Sequence, residues 1–277
     1  MDALDAFILG LVQGLAEYLP ISSSGHLEII RQVLGLDLSG SESLQFDVVL
    51  HVATVLSTIV ILRQRFVPLC RDFFGWRTKS EGFKYVWKLI LSAVPVGIVG
   101  ICLKDYIEGF FEGDLKIVGM CLCITAVLLA FAYFFRTNPL LRAKGGSYIL
   151  REITWIDAFV IGCSQAIAVL PGLSRSGTTI ATGIIIGNKR ESVAVFSFFM
   201  VIIPIIGEAL LDVVKMMKGG EDLAMANVGA MPLIVGFITA FTVGCLACKW
   251  MIDLVSKGKL VWFALYCVAV GIMCICI

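Results

Sequence analysis

Residues 117–135, IVGMCLCITAVLLAFAYFF, run for 19 positions without a charged side chain. As a helix, such a run is long enough to cross a hydrocarbon core roughly 30 Å thick. Transmembrane strands would instead show short segments of alternating polarity, and the chain has none. Five further stretches read the same way, giving full spans at about 44–62, 86–103, 117–135, 192–211, 231–250 and 260–277. With 59% hydrophobic and 16% charged residues, the chain is more apolar than a soluble domain. The fold class expected is therefore an all-α integral membrane protein forming a single membrane domain over 1–277.

Charge excludes several functions and orients the spans. A net charge of +1 leaves no basic patch for nucleic acid. The N-terminal MDALDAFILG carries acids where a cleavable signal would carry bases. The ten cysteines lie mainly in apolar runs, where cysteine packs as a small hydrophobe. Cys245 and Cys248 form a C-x-x-C without the second pair or histidine that zinc would need. The longest polar stretch, about 63–85, is expected to be a loop. Sixteen of the 22 Lys and Arg fall in the segments 63–88, 136–151, 189–190 and 249–259. If the six spans alternate, those segments share one side. The opposite loops, 104–116 and 212–230, carry Asp105, Glu108, Glu112, Asp114, Glu221 and Asp222. Positive loops favour the cytoplasm, so both termini should face outward. Arg175 remains as the basic residue set well inside an apolar stretch, and a charge at that depth is functional by default.

A shift of 152 residues lays LDAFILGLVQGLAEYLPISSSGH (4–26) over IDAFVIGCSQAIAVLPGLSRSGT (156–178) without a gap, with nine of 23 positions identical. The shared Gln13/Gln165 and the two S-x-S-G elements, Ser22–Gly25 and Ser174–Gly177, make chance an unlikely source. Each copy is a short apolar stretch broken by Pro, Gly and Ser, so it cannot span as one helix. Non-helical backbone at membrane depth is tolerated where protein or a wet cavity surrounds it. Both copies are read as re-entrant helical hairpins, with Asp5 and Asp157 as their N-caps. Three spans follow each hairpin, an odd number that turns the second copy over. The halves, about 1–135 and 152–277 joined by a loop at 136–151, would form an inverted-topology repeat, whose broken helices build a site near the midplane.

The two tips together hold a carboxylate, an imidazole, a guanidinium and several hydroxyls. Gln13 and Glu17 stand four apart on one helix face, followed by Ser22, Ser23, Ser24, Gly25 and His26. The second tip supplies Ser174, Arg175, Ser176, Gly177, Thr178 and Thr179. Phosphoryl transfer asks mainly for positioning and for stabilisation of charge on phosphoryl oxygens. Arg175 offers a planar fork matched to those oxygens, and glycine-rich turns entering helices present N–H groups to anions. Glu17 with Gln13 could hold Mg²⁺ or Ca²⁺, which prefer oxygen ligands. His26 could act as acid, base or nucleophile.

Competing structural roles exist for each group. The serines and threonines could simply bond backbone or neighbouring helices, and Gln13 and Gln165 could be a packing pair. Glu17, His26 and Arg175 could be an internal ion-pair cluster. His51, the second histidine, could serve the site but reads first as a hydrogen-bonded structural residue; for Asp47 and Glu208 pairing or pore-lining roles are open and none is assigned. The FSFFM stretch at 196–200 reads as helix packing.

At these residues the chain resembles the bacterial undecaprenyl-diphosphate phosphatases, the bacitracin-resistance proteins. The resemblance runs over essentially the whole length and rests on QGLAEYLPISSSGH, Gln13 to His26, and PGLSRSGTT, Pro171 to Thr179. It implies hydrolysis of undecaprenyl diphosphate to undecaprenyl phosphate and inorganic phosphate, recycling the lipid carrier for cell-wall synthesis. It also implies dependence on a divalent cation and a site reached from the outer face of the bacterial cytoplasmic membrane. On the same basis Glu17 is the metal or acid–base carboxylate, Ser23 and His26 are nucleophile candidates and Arg175 binds diphosphate. Ser22, Ser24, Gly25, Ser174, Ser176, Gly177 and Thr178 complete the substrate contacts. Gln13 stands where many members carry Glu, which removes one charge from the metal site. Membrane lipid is the expected surrounding partner, and a homodimer is left open. A transporter or flippase of a polyprenyl-phosphate lipid is the main alternative, since inverted repeats with broken helices are transporter architecture. A transporter needs no Ser–His pair beside an Arg.

Overall fold

The computed structural model describes residues 1–36, 38, 40–102, 114–137, 151–207 and 228–277. Among the described residues the chain is helical, with one isolated bridge between Arg151 and Asn188. The first half contains α1 (Ala3–Ala16), α2 (Ser23–Val33), α3 (Gly40–Ile61), α4 (Arg63–Phe74), α5 (Glu81–Cys102) and α6 (Leu115–Thr137). The second contains α7 (Trp155–Ile167), α8 (Arg175–Ile185), α9 (Arg190–Met200), α10 (Ala230–Ser256) and α11 (Leu260–Cys276). Most of the acidic loops, 104–113 and 212–227, and most of the 136–151 linker lie outside the described residues, as do Glu208 and the end of the expected 192–211 span.

Five helices are long and apolar enough to cross a membrane: Glu42–Ile61, Glu81–Cys102, Leu115–Phe135, Arg190–Gly207 and Ala230–Ser256. The sixth expected span is α11, shorter at 17 residues. Lipid-type exposure matches this composition: Ile101 and Ile156 are each more than three-quarters exposed. Inside, Tyr18, Leu122, Leu129, Phe196, Phe198 and Met251 belong to one core cluster. The FSFFM stretch is packing, with Phe198 meeting Tyr18 edge to face at 5.2 Å.

Both repeated segments fold as helix, break, helix. α1 has 14 residues, or about 21 Å at 1.5 Å per residue, too short to cross. Each pair, α1 with α2 and α7 with α8, packs on itself. The starts differ from the expected caps. Asp2 and Thr154 are the N-caps, while Asp5 and Asp157 sit three residues on and return hydrogen bonds to the cap backbone. A carboxylate at that position satisfies a second orphan donor, so each aspartate completes a capping box. The breaks end alike: Ser22 caps α2 through the Gly25 N–H, and Ser174 caps α8 through the Gly177 N–H. Ser22 has φ of 71°, a left-handed conformation unusual for a residue with a Cβ.

Two other readings are corrected. Residues 63–74 form α4, whose Phe66 and Phe73 recur at helical spacing and meet Phe199 and Phe83 at 6.0 and 5.7 Å. Density of charge hid that period. Arg175 is also not alone among inner bases. Arg31 is buried on α2 and ion-pairs with Asp47 of α3.

Small residues let the helices approach closely, as in membrane bundles where packing replaces the hydrophobic drive. α1 lies on α10, where a Cβ at Gly10 would stand 2.7 Å from the Gly236 carbonyl and one at Gly14 2.8 Å from that of Ala240. α7 lies on α5 with Gly162 against the Ser92 backbone, and α6 lies on α11 through Gly119 and Gly271. The 152-residue shift carries α1 to α7, α5 to α10 and α6 to α11. It therefore maps the first contact onto the second and the third onto itself. Gly162→Ala should thus lower stability by about 1–3 kcal/mol through overpacking. Gly97→Ala, with open space around it, should be neutral or gain about 0.5–1 kcal/mol as a helix interior. Thermal unfolding of both variants in detergent checks this; equal midpoints would contradict the packing account.

Candidate active site

The last turn of α1 places Gln13 above Glu17, and the Gln13 amide donates to Glu17 Oε2 at 3.0 Å. Ser23, the first residue of α2, donates its hydroxyl to the same oxygen at 2.7 Å. Arg175 is the first residue of α8 and the repeat counterpart of Ser23. Its Nη2 lies 3.7 Å from Glu17 Oε1. α3 contributes His51, with Nε2 3.8 Å from Glu17 Oε2. The carboxylate is 8% exposed and the guanidinium 29%, so the charge is buried and its partner reaches an opening.

The tips touch directly. Ser176 donates to the Leu19 carbonyl at 3.1 Å, and a Cβ at Gly25 would stand 3.0 Å from the Gly172 Cα. Gly172 has φ of +88°, and a Cβ there would meet the Val118 carbonyl at 2.6 Å. This turn requires glycine twice over, for its backbone angle and for its crowding. Ser174 is held from below as its N–H donates to Thr125 Oγ1 at 3.0 Å.

The expected site residues divide into two groups. Gln13, Glu17, Ser23 and Arg175 converge. His26 is engaged elsewhere: Nδ1 donates to the Ser22 carbonyl at 2.8 Å, since a carbonyl only accepts, and Nε2 meets the Tyr266 hydroxyl at 2.8 Å. The Tyr266 ring stacks on the imidazole at 5.6 Å. Ser22 and Ser174 act as caps, taking the N–H groups of Gly25 and Gly177, while Ser24 is exposed. Thr178 is buried, its hydroxyl without a partner among the described residues, and both amide atoms of Gln165 share that condition.

Reading the sequence missed the part played by His51, Tyr266 and the Arg31–Asp47 pair. A signal existed for the first: Asp47 and His51 stand four apart in an apolar span, the spacing of Gln13 and Glu17. Tyr266 had none, because one tyrosine in a closing apolar helix reads as an interfacial anchor.

A hydroxyl that donates to a carboxylate is placed so that the carboxylate can act as its base. Arg175 makes no hydrogen bond through its side chain among the described residues, and its 3.7 Å approach to Glu17 leaves the fork available to an anion. Ser23 and Arg175 are the first residues of α2 and α8, so each stands at a helix N-terminus, where the dipole favours an anion. For a cation, no group of three or more His, Cys, Asp and Glu is assembled among the described residues. The donor set nevertheless suits a hard ion shared with substrate phosphates, which needs only one or two protein carboxylates. Glu17 is one, and Gln13 Oε1 is a buried acceptor without a partner.

An apolar-surfaced helical bundle around a carboxylate, a hydroxyl and a guanidinium ion-paired with that carboxylate but free of side-chain hydrogen bonds among the described residues defines a multi-pass membrane enzyme acting on an anionic group. Residues 6–273 match the family of Bacitracin resistance protein BacA, and the chain belongs to that family. It is 51% identical over 272 residues to an undecaprenyl-diphosphatase of Bacteroides thetaiotaomicron, covering 98% of this chain and 97% of the relative. A protein of the same name from Christiangramia forsetii is 42% identical over 277 residues, covering 99% and 98%. A third, from Methanobrevibacter smithii, is 36% identical over 287 residues, covering 99% and 96%.

Proposed function

We propose that this chain hydrolyses undecaprenyl diphosphate to undecaprenyl phosphate and inorganic phosphate, with Ser23 as nucleophile and Glu17 as its base. The observation that carries the assignment is the 2.7 Å hydrogen bond from the Ser23 hydroxyl to Glu17. The rival nucleophile, His26, has both ring nitrogens engaged.

In the first step Ser23 Oγ attacks the terminal phosphorus while Glu17 takes its proton. The bond from phosphorus to the bridging oxygen breaks, and undecaprenyl phosphate leaves with that electron pair. Water then attacks the phosphorus of the phosphoserine, the phosphorus–Oγ bond breaks as Glu17 returns the proton to Ser23 Oγ, and inorganic phosphate departs carrying the water's oxygen and both its protons. Arg175 holds the phosphoryl oxygens in line, as a bidentate fork does better than a point charge. The N-terminal turns of α2 and α8 add dipole stabilisation to the same oxygens. Glu17 and Gln13 would hold the divalent cation, Mg²⁺ or Ca²⁺, which when bound neutralises charge on the diphosphate.

The inverted repeat gives these parts their place. With 1–135 and 152–277 as opposed halves, two re-entrant hairpins bring their tips together inside the bilayer. The pairing of α1 with α10 and of α7 with α5 supports that plan. Basic segments on one side support an outward-facing N-terminus and an opening toward the outer leaflet, where the isoprenoid tail stays in lipid.

Purified protein in detergent should release phosphate from a polyprenyl diphosphate, and EDTA should stop it. Glu17→Gln, Ser23→Ala and Arg175→Lys should each lower the rate by about 10²–10⁴-fold, and rapid quench should find phosphoserine at position 23. Near-normal turnover of Ser23→Ala, or phosphate trapped on His26, would overturn the nucleophile. An epitope at the N-terminus should be reached by antibody on intact spheroplasts; labelling only after lysis would reverse the orientation.

A further inference from the structure

We infer that His51 is a nitrogen ligand of the catalytic cation, giving a mixed nitrogen–oxygen site of Glu17, Gln13 and His51. The inference deepens the metal-assisted phosphatase reading above and rests on it.

The imidazole is held by its own helix and aimed at Glu17. His51 Nδ1 lies 2.8 Å from the Asp47 carbonyl one turn earlier in α3. A carbonyl only accepts, so Nδ1 carries the hydrogen. In the neutral ring Nε2 then presents a lone pair, and that lone pair faces Glu17 Oε2 at 3.8 Å. The gap is too long for a hydrogen bond, and with the ring neutral it is bordered by two lone pairs. Metal–ligand bonds of about 2.0–2.2 Å would allow one ion to join His51 Nε2 to the Glu17 carboxylate, leaving the oxygen that the ion does not take as the base for Ser23. A metal-bound histidine characteristically donates its other N–H to a backbone carbonyl or carboxylate, which His51 already does.

Two further observations place the gap in a prepared setting. Gln13 is wholly buried, donates through Nε2 to the same Glu17 oxygen and keeps Oε1 without a partner. That oxygen is an acceptor awaiting a donor or a cation. The helix carrying His51 is also fixed from behind. Asp47 pairs with buried Arg31 of α2, so the residue whose carbonyl orients the imidazole is held to the helix that carries Ser23.

The donor set sets the metal class. Carboxylate and amide oxygens alone suit Mg²⁺ and Ca²⁺, whereas an imidazole shifts preference toward first-row divalent ions. The site should therefore bind Mn²⁺ more tightly than Ca²⁺.

Mn²⁺ alone is the probe. Because the chain has only two histidines, protein purified without a histidine tag gives an unambiguous nitrogen signal. Spin-echo EPR of the wild-type Mn²⁺ complex should show modulation from an imidazole nitrogen. His51→Gln should lose that modulation and bind Mn²⁺ about tenfold or more weakly, while His26→Gln keeps it. Modulation that survives in His51→Gln, or wild-type protein that binds Mn²⁺ without it or not at all, overturns the assignment. Phosphate release separates the two readings. A wild-type enzyme that turns over but shows no nitrogen signal removes His51 and leaves the phosphatase. Absence of turnover with any cation removes the phosphatase itself.

Discussion

The Glu17 carboxylate is buried among helices, and everything around it is arranged so that it can remain ionised there. Removing a carboxylate from water costs several kcal/mol even after the surroundings relax. Gln13 and Ser23 donate to one oxygen, and Arg175 brings positive charge toward the other from the second tip. Neither half of the chain could supply this set alone. The requirement that α1 end and α8 begin at the same point therefore fixes where both hairpins must break and how closely the tips must pack.

Local chemistry meets that demand at each step. Capping boxes start α1 and α7, while serine caps restart α2 and α8 after breaks of six and seven residues. The glycine contacts hold α1 and α7 against neighbours from the opposite half. Ser22, in a left-handed conformation, lies one residue before Ser23. Strain of this kind persists where surrounding contacts over-determine the backbone, and it concentrates at functional sites. Here the over-determination comes from the cap to Gly25 and the His26 bond to the Ser22 carbonyl.

Much of the fold was legible because the membrane simplifies the code. Uninterrupted apolar runs locate spans, and a Pro-Gly-Ser break in one of them has few readings. Gln13, Glu17, Ser23 and Arg175 were found for the same reason, since polar groups in apolar surroundings stand out. Legibility failed where the signal was tertiary. α4 was hidden by its charges, although Phe66 and Phe73 kept a helical period. Asp5 and Asp157 were placed at the caps because sequence locates a helix start only to within a turn. His51 looked structural because its apolar neighbours say nothing about what stands opposite. The same holds for Tyr266, which reaches His26 from 240 positions away.

One phosphate should sit between the two tips, in reach of groups from both halves of the chain. An experimental map of the protein with a non-hydrolysable polyprenyl diphosphate analogue tests it most directly. The account predicts the terminal phosphorus in line with Ser23 Oγ and its oxygens within hydrogen-bond distance of the Arg175 guanidinium. A diphosphate bound by one hairpin alone, or lodged away from Glu17, would contradict it.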